Sequence, residues 1–165
     1  MTGQLFMGAE GILGALLALL MMAIAVADWR ALIIPNALNA CVAGLGLVEI
    51  ALERSADWGA AMFEAGARAI VVAGLLYGLA ALYLRLRGRR GLGLGDVKLA
   101  GAAAFWLDWR ALSWSIELAA LSGLALAFVM RLRSGQRLDP FAKMPFGAVF
   151  APSIWLCWLA SRAGF

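Results

Sequence analysis

The chain has 165 residues, 64% of them hydrophobic and 15% charged, with a mean hydropathy of +0.88. That is more apolar surface than a soluble domain of this length carries, so the sequence reads as an all-α, polytopic membrane helix bundle. The absence of histidine excludes Ser-His-Asp hydrolysis, the HExxH zinc motif and histidine-ligated cofactors. The net charge of +4 sits in short loops between apolar runs, where it serves topology and anionic lipid rather than nucleic acid.

Six apolar runs are legible in chain order, at residues 11–27, 31–48, 69–84, 97–107, 111–130 and 144–160. A spanning helix needs about 20 mainly apolar residues, with about 17 tolerated, so six transmembrane helices are predicted, the fourth being the shortest. Ala25-Val26-Ala27 resembles a signal-peptidase site, but residues 1–10 contain Glu10 and no Lys or Arg. A signal peptide requires a basic start, so the first run is read as a retained helix.

With the N-terminus outside, the inward connections hold Arg30; then Arg85, Arg87, Arg89, Arg90 and Lys98; then Arg131, Arg133, Arg137 and Lys143. Only Arg54, Arg68, Arg110 and Arg162 remain outside. The positive-inside rule therefore predicts N-out and C-out, with Asp28 and Asp96 at the cytoplasmic face. One domain over residues 1–165 is expected, with no internal repeat.

Asp96 follows Gly91, Gly93 and Gly95 and enters the fourth helix at its N-cap or first turn. A helix over residues 96–109 spans only about 21 Å, against a hydrocarbon core of about 30 Å. This predicts that Asp96 is recessed into a notch below the cytoplasmic surface. Asp28 closes the first helix, where the macrodipole disfavours negative charge, whereas Asp96 at an N-terminus is favoured. If the two meet they share a proton, and the dipole argument makes Asp28 the more protonated partner.

Pro35 suits the first turn of a helix and forces Ile34 out of the α region. The chain therefore breaks after Asp28 and restarts near Asn36, which could cap or reach the site. Lys98 could bias Asp96, hold a substrate backbone, or snorkel to the interface. Glu117 is the one acid well inside a span and is read as buried and hydrogen-bonded; Glu49 is read as interfacial. The seven Trp residues read as an aromatic belt near the helix ends. Cys41 and Cys157 stand alone and read as packing residues, so no metal and no cofactor are expected.

Asp28 with Ile34-Pro35-Asn36, and Gly93-Leu94-Gly95-Asp96-Val97-Lys98-Leu99, together resemble the type IV prepilin peptidases, the GxGD aspartic proteases of the membrane. Lys143-Met144-Pro145-Phe146-Gly147 resembles, more weakly, a Pro-aromatic-Gly stretch near that family's last helix. The resemblance implies an endopeptidase of the bacterial inner membrane that uses Asp28 and Asp96 as catalytic residues. It implies an active-site loop at Gly93, Gly95 and Lys98, a supporting turn at Pro35 and Asn36, and weaker roles for Pro145 and Gly147. Its substrates would be prepilins or pseudopilins, cut at the cytoplasmic face after a glycine that precedes an apolar helix. Longer members carry an N-methyltransferase segment with paired CxxC motifs. No such insert is expected here, and the chain resembles the short peptidase-only members of Flp-type, tight-adherence pili. The alternatives are a presenilin-like protease, which lacks support because Ala27 precedes Asp28 and no Pro-Ala-Leu occurs, and a non-enzymatic scaffold or transporter bundle. The sequence leaves open the oligomeric state, the pilin processed and whether a metal ion can occupy the pair.

Overall fold

Apolar residues recur on one face of the first helix, α1 (Thr2–Ala31). Leu13, Leu17, Met21 and Ile24 are buried along it, at the three- and four-residue spacing that lines one side of an α-helix. Asp28 continues the same stripe and is buried with it. The computed structural model describes residues 2–54, 56–89, 91–134 and 145–164. The other helices are α2 (Asn36–Glu53), α3 (Trp58–Arg87), α4 (Leu94–Ala103), α5 (Trp109–Ser134) and α6 (Phe146–Arg162). Among the described residues the fold is all-helical.

Four of the six are long and apolar enough to cross a membrane: Glu10–Ala31, Asn36–Glu53, Trp58–Arg87 and Trp109–Leu132. The α4 helix, with 10 residues, rises only about 15 Å and does not cross by itself. It is shorter than the 14 residues expected because residues 104–106 form turns instead. Three contacts fix that ending. The Arg68 guanidinium donates to the Ala104 carbonyl at 2.9 and 3.1 Å, placing a cation where a helix C-terminus favours one. The Trp106 indole donates to the Val42 carbonyl at 2.8 Å. Asp108 then accepts the Ala111 amide at 2.7 Å and starts α5.

The α6 helix lies between α1 and α5, while α4 packs on both α2 and α3 and touches α6. Helix approach is close where glycine faces an aromatic ring. A Cβ at Gly14 would lie 2.2 Å from the Trp158 ring, and one at Gly46 would lie 2.7 Å from Phe105. Trp106 and Trp158 meet edge to face with centroids 6.2 Å apart. These two indoles are therefore core residues and not part of an interfacial belt.

Three further expectations change. Glu117 is exposed on α5 rather than buried. Cys41 is exposed and Cys157 half-buried, and both are free thiols. Glu49 is buried rather than interfacial, 2% exposed, because it accepts from Trp158 Nε1 at 2.9 Å and from Arg162 Nη2 at 2.5 Å. Arg162 also pairs with Glu53 and, at 4.0 Å, with Glu10. This cluster lies at the opposite end of the bundle from Asp28 and Asp96. Along α2, Asn36 and Glu49 are separated by a rise of about 20 Å, so the apolar layer between the two polar ends is thin.

Removing one partner of a buried ion pair leaves the other uncompensated, at a cost of about 3 kcal/mol. Arg162→Leu should therefore lower the thermal unfolding midpoint of the detergent-solubilised protein. Adding Glu49→Gln should recover most of the loss, and equal midpoints for the single and double variants would contradict the pairing.

A candidate carboxylate site

The α1 helix ends at Ala31, three residues after Asp28. The Leu32 amide donates to the Asp28 carbonyl at 2.8 Å, and Leu32 takes a φ of 54°, the left-handed conformation that usually ends a helix on glycine. A leucine there costs roughly 1–2 kcal/mol. It reverses the chain so that Ile34 points inward and is buried. Pro35, with φ −60° and ψ 134°, then supplies the extended residue from which α2 starts at Asn36.

Ile34 is wedged between two glycines. A Cβ at Gly95 would lie 3.1 Å from Ile34 Cβ, and one at Gly147 would lie 2.7 Å from Ile34 Cδ1 and 3.0 Å from the Asp28 carboxylate. Both positions need glycine for space. Gly95 is held from α2 as well, its carbonyl accepting the Asn39 amide at 3.4 Å. The Ile-Pro-Asn turn thus fixes the starts of α4 and α6 against one another.

The carboxylate of Asp28 faces the N-terminus of α6. Its Oδ2 accepts the Ala148 amide at 3.0 Å, and Gly147 contributes a second backbone hydrogen bond. Unpaired amides and the helix dipole at such an end favour an anion. This reverses the expectation for Asp28, which considered only the C-terminus of α1. The predicted Pro-Phe-Gly stretch gains a physical role here, with Pro145 preceding α6 and Gly147 opening space for the acid. Lys143 and Met144 of that stretch lie outside the described residues, as do Arg90 and Arg137.

Asp96 occupies the first turn of α4 and is buried, 8% exposed. Its carboxylate folds back to the Gly93 backbone amide, as an acid at the third helical position does. A Cβ at Gly93 would lie 2.9 Å from Asp96 Oδ2. The other oxygen, Oδ1, is buried with no hydrogen-bond partner among the described residues. The Asp28 charge acts on this carboxylate, and the Gly93 bond favours its ionised form. Asp28 and Asp96 are thus close enough to interact, and they are unequal: one carboxylate rests on helix amides and the other has a bare oxygen.

Lys98 turns away from Asp96. Its ammonium donates to Asn36 Oδ1 at 2.8 Å on the exposed side of α4. Asn36 consequently tethers α2 to α4 and caps no helix. Three participants were missed in the sequence: Ile34 as the wedge, Ala148 as the donor to Asp28, and Asn39 beneath Gly95. Asn39 left a signal, a second amide one turn after Asn36 in an apolar run, whereas a backbone donor leaves none. Among the described residues no group of three or more His, Cys, Asp or Glu side chains is arranged to hold a metal.

The type IV leader peptidase family model matches residues 15–129 of this chain, well over half of its length. A prepilin leader peptidase/N-methyltransferase of Pectobacterium carotovorum subsp. carotovorum is 28% identical over 160 residues, covering 90% of this chain and 52% of that protein. Proteins of the same name from Burkholderia pseudomallei (strain K96243) and Neisseria gonorrhoeae are 39% identical over 70 residues and 38% identical over 86. Those matches cover 42% and 52% of this chain, and 22% and 28% of the relatives. The chain thus spans about half or less of the length of these curated relatives. No solved structure matches it.

The wedge yields a coupled pair of substitutions. Gly147→Ala should cost about 1–3 kcal/mol through overpacking, and Ile34→Val, which removes Cδ1, should relieve part of that cost. Thermal unfolding of the two single variants and the double variant measures the coupling; strictly additive losses would show that the side chains do not meet.

Proposed function

The chain belongs to the type IV leader peptidase family, and we propose that it is an aspartic endopeptidase that removes the leader of prepilin-like proteins. The observation that carries this reading is the juxtaposition of Asp28 and Asp96 in unequal environments. Acid–base hydrolysis by two carboxylates needs one as base and the other as acid. The amides at the start of α6 suit Asp28 to the base, and burial suits Asp96 to the acid.

In this mechanism a water sits between the carboxylates, within reach of the bare Asp96 Oδ1. Asp28 takes its proton as the oxygen attacks the scissile carbonyl, and Asp96 gives its proton to the carbonyl oxygen. Asp28 then protonates the leaving amine, the C–N bond breaks, and the collapsing hydroxyl returns a proton to Asp96. Gly93, Gly95 and Gly147 let Asp96, Ile34 and Asp28 pack at this junction and so set the place of the two carboxylates. Lys98, Pro35 and Asn36 support α4 and take no part in proton transfer.

The reading includes a topology. The chain crosses six times, N-out and C-out, with α4 and the turn after it making a short fourth passage. The site faces the cytoplasm at the inner membrane, where most of the basic residues lie. The 165 residues act as a single peptidase unit. Their two cysteines stand far apart and form no paired CxxC, so cleavage and not methyl transfer is assigned to them. Flp-type prepilins are the substrates proposed, from the likeness to short peptidase-only members.

Asp28→Asn and Asp96→Asn should each reduce cleavage of a synthetic prepilin leader by about a thousandfold or more, with little change in thermal unfolding. Full cleavage by both variants would return the bundle to a scaffold or transporter. The active form carries one proton on the pair. Loss of that proton in base and gain of a second in acid each disarm the pair, so kcat should pass through a maximum and fall on both sides of it. A rate that rises steadily through pH 9 would exclude Asp96 as the acid.

A further inference from the structure

A cleft of about 470 Å³ opens sideways from the bundle between α2 and α3, with α4 as its floor. The cleft exists because α2 and α3 touch one another little, while each packs on α4. Its walls are small side chains, Ala40 and Ala43 on α2 and Ala69 and Ala73 on α3, and Gly101 lies in its floor. It runs along α4 from Lys98 to Ala102, a rise of about 6 Å, and on to Phe105 in the turn beyond. Small residues of this kind let a helix backbone approach closely within a bilayer.

The end nearest the carboxylates is not apolar. Asn39 lines it and is 6% exposed. Its Nδ2 donates to the Gly95 carbonyl, while its Oδ1 is buried with no hydrogen-bond partner among the described residues. A buried acceptor without a donor is costly. The first turn of an α-helix presents the matching group, four backbone N–H donors with no partner inside their own helix.

We infer that this cleft seats the first two turns of the substrate's apolar helix, with Asn39 Oδ1 accepting from its N-terminal amides. The inference rests on the leader-peptidase reading and specifies how that site receives its substrate. Lys98 and Asp96 are two residues apart and so point about 200° apart around α4. A chain leaving the helix in the cleft reaches the carboxylates by passing over the start of α4. Two or three extended residues, at about 3.3 Å each, cover about 7–10 Å of that path. The cleft therefore selects for an apolar helix starting a few residues after the cut bond, and Asn39 sets the register.

The test uses the full-length protein in detergent and a synthetic substrate with a basic leader, a glycine and a 20-residue apolar helix. Ala40 is exposed at the cleft's edge, so Ala40→Leu fills the cleft with little risk to folding, and Ala120→Leu, on the exposed face of α5, adds the same bulk outside it. Ala40→Leu should raise KM at least tenfold with kcat within about twofold, while Ala120→Leu should match the wild type. A photo-crosslinking residue in place of Ile70, on the cleft's rim, should attach to the first two turns of the substrate helix. Unchanged KM in Ala40→Leu, or crosslinks to lipid alone, would overturn the cleft assignment and leave the carboxylate reading intact. Failure of the wild type to cut this substrate would overturn both.

Discussion

The constraint on which the site depends is the hydrogen bond from the start of the last helix to the Asp28 carboxylate on the first. Asp28 accepts the Ala148 amide from a residue 120 positions away, and that bond settles several matters together. It gives a buried carboxylate the partners it needs, aligns the start of α6 with the end of α1, and requires glycine at position 147. With α6 held there, Ile34 fits only where Gly95 leaves room, and α4 follows. The remaining packing conforms to that junction.

At the other end the same logic runs with opposite charges. Arg68 takes the carbonyl that ends α4, and Arg162 gathers Glu49, Glu53 and Glu10. The α4 helix is thus bracketed by an acid in its first turn and a cation at its last carbonyl, both of which suit its dipole. A ten-residue helix is too short to stand alone, and with glycine at positions 95 and 101 it is defined by what stands at its two ends. Buried almost all round, it is positioned by neighbours on α2, α3 and α6.

Much of this was legible in the sequence. The apolar runs located all six helices, and the turn at Ile34-Pro35-Asn36 and the first-turn place of Asp96 follow from proline and glycine chemistry that acts over a few residues. The illegible parts share a cause. The ion cluster around Arg162 joins residues from three helices, and no local pattern marks which acids meet it. Glu117 was misjudged because one acid in an apolar run has the same appearance whether it faces inward or outward. The environment of Asp28 was misread because the helix end that matters to it belongs to α6, far along the chain. Helix four was drawn too long because its last turn ends on a side chain from α3.

The 120-residue reach of the Asp28 bond also has a consequence in time. Asp28 leaves the ribosome early, yet the amide that receives it is made only when α6 begins. Until then the end of α1 lacks its partner, Ile34 has one glycine instead of two, and the pair of carboxylates has no fixed geometry. The site therefore comes into being only when nearly all of the chain has been made. A chain interrupted before α6 would hold both aspartates and still lack the site.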